Sequence, residues 1–390
     1  MAALAGCATL PEAAHPLVAP VPSLQPADSP TATPSATAEI VIGVEATPCT
    51  NQAVLSTWSL SRLAEQTIVV PVDENSVLLV RAQVAQGVGG VILFGSSAPT
   101  NLASQLRDLE NVAPGGIKPL IMTDEEGGVV QRMANLVGWI PAARDMGSSM
   151  TPAQIQQLAT TAAQRMRSAG VTMDLAPVLD VDGGQGPNDV DADGTRSFSA
   201  NVAIASSAGI AFANGLRAGG IIPVAKHFPG LGGASGNTDV TPATTQSWSA
   251  LQSGGLRPFQ AAISGGVPAV MVANASVPGL TTQPASVSPE VINGVLRGRL
   301  GFQGLVITDS LSAVALSAAG YSIPRAAVAA LSAGADMVLF NADTGSVASL
   351  TAQTAAAIVS AVNAGSLSRD ALQNAVARVL SAKGVTLCTV

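Results

Sequence analysis

Eight short apolar runs recur along the chain at spacings that leave room for a helix between them. They are TIVVPV (67–72), GVILFG (90–95), PLIMTD (119–124), VTMDLAPV (171–178), IIPVAKH (221–227), PAVMVAN (268–274), GLVITD (304–309) and DMVLF (336–340). Each is near-continuously apolar, which is how a strand buried on both faces reads. Seven of the segments between or after them have helical character, among them TPAQIQQLATTAAQRMRSAG, NVAIASSAGIAFANGLRAGG and PEVINGVLRGRL. Thr151-Pro152 and Ser288-Pro289 are helix-start signals. Gly170, Gly219 and Gly265 fall where helices should stop. Eight strands alternating with helices predict a (β/α)8 TIM-type barrel in one domain, residues 49–390. A doubly wound sheet is the competing architecture.

The polar residues at the ends of the runs separate these two. Asp124, Asp180, Lys226-His227, Asn274 and Asp309 each close an apolar run. A doubly wound sheet gathers its site at one switch point, whereas a barrel collects it from the ends of many strands. The chain has neither a GxGxxG after its first strand nor a P-loop, so a nucleotide cofactor has nothing to rest on.

Composition narrows the partners. Of 390 residues, 11% are charged and the net charge is −7, which argues against nucleic acid. No internal apolar run reaches membrane-spanning length. The N-terminus reads differently. LAGC, ending at Cys7, resembles a bacterial lipobox, and residues 8–47 are a Pro/Ala/Ser/Thr-rich stretch that reads as a disordered tether. Together they predict lipid anchoring at Cys7 to the outer face of a bacterial plasma membrane and work in the cell envelope; a monomer is expected. A chance match in an Ala-rich tail is the alternative. Cys49 and Cys388 bracket the remainder and predict a disulfide joining its ends, as suits an exported protein; two unrelated thiols are the other reading.

Asp309 follows a strongly apolar strand and is either a nucleophile facing the barrel mouth or a helix N-cap for LSAVAL. Asp124 opens DEEGGVVQRM, where a carboxylate is suited to hold sugar hydroxyls. Arg132 is a clamp for a further oxygen or the ion-pair partner of Glu125 or Glu126. Lys226 and His227 are consecutive on a strand and should point to opposite faces unless the backbone turns. A lysine there requires carboxylates from neighbouring strand ends. A lone His beside one Lys and scattered carboxylates is a poor zinc site, and no metal signature is found.

DEEGGVVQRM, MDLAPVLDVD, GTRSF, KHFPG and PASVSPEVINGVLRGRLGFQGLVITDSLS, in this order and spacing, resemble glycoside hydrolase family 3. The likeness is to its single-barrel β-N-acetylglucosaminidases of the peptidoglycan-recycling type, over roughly residues 50–385. The resemblance implies that Asp309 is the nucleophile. It implies that Asp124, Arg132, Arg196, Lys226 and His227 line the terminal-sugar pocket, with Met271 at a common pocket methionine. The implied substrate is a wall glycan or muropeptide ending in β-linked N-acetylglucosamine. The implied chemistry is retaining hydrolysis through a glycosyl-enzyme.

The departures cluster on the KHFPGLGGASGNTDVTPATT loop. The subgroup usually reads KHFPGHG followed by an Asp-x-His pair that supplies the acid/base. Here Leu231 stands at the first His, and Asn237-Thr238-Asp239 stands where Asp-x-His is expected. Val129 replaces a common arginine, Ser310 a second aspartate, and Asn274 a frequent histidine. Val129 and Leu231 are expected to reshape or close the pocket. Asp239 is then the candidate acid/base, brought in by movement of a Gly/Ser-rich loop. The alternative is a catalytically inactive barrel that binds wall glycan or a protein partner.

Overall fold

The computed structural model describes residues 50–388. Eight strands, β1 (Ile68–Asp73), β2 (Gly90–Phe94), β3 (Leu120–Thr123), β4 (Met173–Asp174), β5 (Ile222–Phe228), β6 (Ala269–Val272), β7 (Leu305–Thr308) and β8 (Val338–Leu339), form one sheet in the order β7-β6-β5-β4-β3-β2-β1-β8. Every pairing is parallel. A parallel bridge between Ile307 and Met337 joins the two ends, so the sheet closes. The result is the (β/α)8 barrel, one strand for each apolar run.

Alternation along the strands explains why the runs are apolar throughout. Val69, Ile92, Met122, Met173, Val224, Met271, Ile307 and Leu339 fill the barrel interior. Their neighbours Val70, Val91, Ile121, Val270, Val306 and Val338 face outward into a second core beneath the helices. Thr151 caps the Pro152–Ser168 helix with a reciprocal bond to Gln154. Gly170 follows it at φ +97°, a left-handed position that suits glycine. Gly219 ends the Val202–Ala218 helix as expected, but the left-handed residue is Gly220. The helix signalled by Ser288-Pro289 is wound as a π-helix, Glu290–Arg299, around two interior glycines that weaken the α-helical preference.

The β7–β8 seam is braced by a buried ion cluster. Asp336 accepts from Val306 N at 2.8 Å, from Arg297 at 2.6 Å and from Arg378 at 3.0 Å. The ends of the barrel also meet, because Asn51 donates to Val385 O and accepts from Leu387 N. Cys7, the 8–47 stretch and Cys49 lie outside the described residues, so the lipid anchor, the tether and the Cys49–Cys388 pairing remain expectations. Among the described residues no helix is long and apolar enough to cross a membrane.

Candidate active site

The strand ends converge on a cavity of about 500 Å³ at the C-terminal mouth of the barrel. Asp124, Arg132, Arg196, Lys226, His227, Asp239, Met271 and Asp309 all line it. They come from five strands and the loops that follow them, β3 to β7, and the fold brings them to one place.

Its floor is an ion network around Lys226. The ammonium lies 2.7 Å from Asp124 and 2.6 Å from Glu126, and is almost fully buried. Arg196 grips Glu126 with two 2.8 Å bonds, a planar fork matched to a carboxylate. Burial alone would raise Glu126, but Arg196 and then Lys226 outweigh it and hold the carboxyl well below its ordinary value. Lys226 is likewise shifted up, because Asp124 and Glu126 overcome its desolvation. Glu126 was weighed in the sequence only as a partner for Arg132. Arg132 instead approaches Asp124 at 3.8 Å and lies over Phe94. Glu125 serves the backbone, accepting from Arg132 N and Met133 N.

Lys226 and His227 both face the cavity, although strand alternation would have parted them. The register of β5 against β6 shifts between Ala225 and Phe228, and the Lys226–His227 peptide is cis. Asp180 accepts from His227 N at 2.9 Å and lies 2.7 Å from Nδ1. Burial, with Arg196 adding to it, lowers His227 to about 4, so the ring is neutral near pH 7. An Nδ1–H bonded to Asp180 leaves Nε2 for the cavity. Asp193, three residues before Arg196, is buried with both carboxyl oxygens unbonded, and burial raises it well above the ordinary range. Asp180, Asp193 and His227 each bring a ligand atom within 4.8 Å of the others. Nδ1 is already engaged with Asp180, and Asp193 stands 3.9 Å both from Nδ1 and from Arg196, an electrostatic neighbour of the pair without a hydrogen bond to it.

Asp309 closes β7 with its backbone bonded to Val272 O, and its carboxylate accepts from Ser310 N at 2.7 Å. It caps no helix, since the next one begins at Val314. Asp239, an exposed residue, lines the same cavity. Burial raises both carboxyls, and the negative charge of Asp239 raises Asp309 further. Two carboxyls that influence each other this way titrate as a pair.

The loop carrying Asp239 differs from the loose segment its composition suggested. Asn237 N donates to Asp189 O, Ser235 N to Thr244 O, and Ala315 N to Thr238 O. Thr238 is buried, and the Asn237 side chain accepts from Asp239 N at 3.0 Å. Asp239 lines the cavity from this bonded loop. Val129 is 73% exposed and does not itself line the cavity, although its neighbour Val130 does. Leu231 does line the cavity, packed with Ala192, Ala273 and Ala275. Asn274 is buried as a brace between Ser310 O and Ser286 Oγ.

A closed parallel barrel with paired carboxyls and an Asp/Lys/Arg-lined pocket at its mouth has the layout of barrel glycosidases. Comparison with known proteins gives the family. Residues 69–382 match the family described as "Glycosyl hydrolase family 3 N terminal domain", and the chain belongs to it. It is 34% identical over 308 residues to the Mycobacterium tuberculosis protein "Beta-hexosaminidase LpqI", covering 76% of each chain. A Mycobacterium smegmatis glycosyl hydrolase of the same family superposes with TM-score 0.76 at 34% identity, covering 85% of this chain and 99% of that one. A beta-N-acetylhexosaminidase from Beutenbergia cavernae superposes with TM-score 0.75 at 34% identity, covering 84% and 99%.

Proposed function

We propose that this chain is a retaining exo-glycosidase that removes terminal β-linked N-acetylglucosamine from peptidoglycan or related wall glycans. The observation that supports the proposal is that Asp309 and Asp239 line one cavity together with the charged Asp124, Lys226 and Arg196. Asp309, fixed at the end of a strand, attacks the anomeric carbon and forms a glycosyl-enzyme. Asp239, in its protonated form, gives its proton to the glycosidic oxygen as the aglycone leaves. The resulting Asp239 carboxylate then takes a proton from water, whose oxygen attacks the anomeric carbon and releases Asp309. Asp124, Lys226, Arg132, Arg196 and neutral His227 offer acceptors and donors for the sugar's hydroxyls, and Met271 an apolar surface.

The choice of sugar rests on two of the similar proteins, those of Mycobacterium tuberculosis and Beutenbergia cavernae, which are named as hexosaminidases. An envelope location rests on the LAGC start and the low-complexity stretch behind it. A panel of nitrophenyl β-glycosides tests the reading, because an activated leaving group needs little acid assistance. Turnover of the N-acetylglucosaminide is expected. Cleavage of a different glycoside alone overturns the sugar, and binding of wall fragments with no turnover of any glycoside overturns the enzyme in favour of a glycan-binding barrel.

A further inference from the structure

A second cavity, of about 620 Å³, opens at the end of the barrel away from the catalytic mouth. Lys118-Pro119, which lead into β3, and Gly170 and Thr172, which lead into β4, line it. Because β3 and β4 run parallel, Asp124 and the catalytic cavity lie at the other end. Four basic side chains line this second cavity: Arg107, Lys118, Arg167 and Lys383. Among the described residues, Glu110 is the only carboxylate that lines it, and Lys118 pairs with it at 2.7 Å. Arg107, Arg167 and Lys383 form no ion pair among the described residues. The chain has three lysines and a net charge of −7, yet two of those lysines meet here.

Arg107 and Arg167 stand in the last turns of the Leu102–Glu110 and Pro152–Ser168 helices, where a cation answers the helix dipole. That reading does not reach Lys383. Its ammonium donates to the neutral Gln66 Oε1 at 2.9 Å. Burial alone pushes it down to about 7, with no carboxylate to offset the loss of water. The cavity thus gathers more positive charge than the protein balances.

We infer that this cavity binds a phosphate group, carried by a soluble phosphoester or by a lipid headgroup. Phosphate oxygens point in several directions, so one group can meet cations that come from the ends of three helices. A guanidinium fork matches two of those oxygens. A carboxylate, planar and with two oxygens, engages a single fork. The site shares no lining residue with the catalytic cavity, so it does not depend on the hydrolase reading. The start of the described chain lies at this same end, since Asn51 bonds Val385 and Leu387 just past Lys383. A membrane that holds Cys7 is therefore one source of such headgroups.

The test has two arms, both on the full chain. Sodium phosphate is titrated by calorimetry, and flotation is measured with vesicles of phosphatidylcholine alone and with phosphatidylglycerol added. Wild type is expected to bind in at least one arm. Phosphate binding identifies a soluble source, and preference for the phosphatidylglycerol vesicles a lipid one. Affinity in that arm is expected to fall about fivefold per cation removed, both in Lys383→Gln and in an Arg107→Gln, Arg167→Gln double variant. The two arginines are exposed, so the double variant keeps the fold. Binding in neither arm, or undiminished affinity in either variant, overturns the inference. Undiminished affinity is what phosphate held by Lys226 and Arg196 in the catalytic cavity would give.

Discussion

Arg196 holds Glu126 through both arms of its guanidinium, at 2.8 Å each, under the floor of the cavity. Removing one partner strands the other in a buried site. Arg196→Gln is expected to destabilise the protein by about 3 kcal/mol, since a broken buried pair leaves an uncompensated charge. Arg196→Lys should restore only part of this, because an ammonium cannot form the fork. The pair also sets an acid limit. Glu126 has a folded pKa below its ordinary 4.5, so its contribution is complete above that value and is lost as pH falls through the range beneath it. Urea midpoints measured between pH 6 and pH 3 should separate wild type from Arg196→Gln most at pH 6, with the gap narrowing as pH falls below 4.5.

Asp239→Ala should slow glycosides with poor leaving groups by about 10²–10⁴-fold and spare nitrophenyl ones. Added azide, a nucleophile that needs no base, should restore turnover of the activated substrate. Equal losses on good and poor leaving groups would place the acid elsewhere.

The pH profile of kcat/KM follows from the two raised carboxyls. Activity needs Asp309 ionised and Asp239 protonated. Burial raises both, so each limb of the bell should lie above the range of free carboxyls. Asp239→Asn should remove the alkaline limb while leaving the acid one. A rate that stays level up to pH 9 in the wild type would contradict the assignment.

Asp336 ties Arg297, Arg378 and the backbone of β7 across the seam that closes the barrel. Asp336→Ala leaves the half-buried Arg297 without its carboxylate and should cost about 3–5 kcal/mol, measured by chemical denaturation. The Arg378→Ala change should cost less, since that arginine is 32% exposed.

Asn51 bonds both Val385 and Leu387, which brings the start and end of the described chain together. A Cys49–Cys388 disulfide is the expected covalent counterpart. Under denaturing, non-reducing conditions both cysteines should resist alkylation, and reduction should lower stability by about 2–4 kcal/mol. Alkylation of both without reductant would exclude the bond.

Barrel and mouth were legible for a common physical reason. Strands buried on both faces must be apolar throughout, so the polar residue that ends each run marks where the strand leaves the core. Asp124, Lys226 and Asp309 were visible that way. The 171–178 run was less informative, because only Met173–Asp174 pairs as a strand and Pro177 further on has no N–H to donate. Glu126 and Asp193 were not visible as site residues. Their roles depend on Arg196, Lys226 and His227, which are remote in sequence or lie on a loop without periodicity. The Gly/Ser content of the 226–245 loop suggested mobility, but its order comes from backbone bonds to Asp189 and to residue 315, which composition does not encode.

The central claim is that Asp309 is the nucleophile of a working glycosidase. The most direct measurement sets wild type beside Asp309→Ala on nitrophenyl β-N-acetylglucosaminide. Wild type should turn over with an initial burst or steady release of nitrophenol, and Asp309→Ala should be slower by at least about 10³-fold. Identical rates for the two proteins, with wall fragments still bound by both, would contradict it.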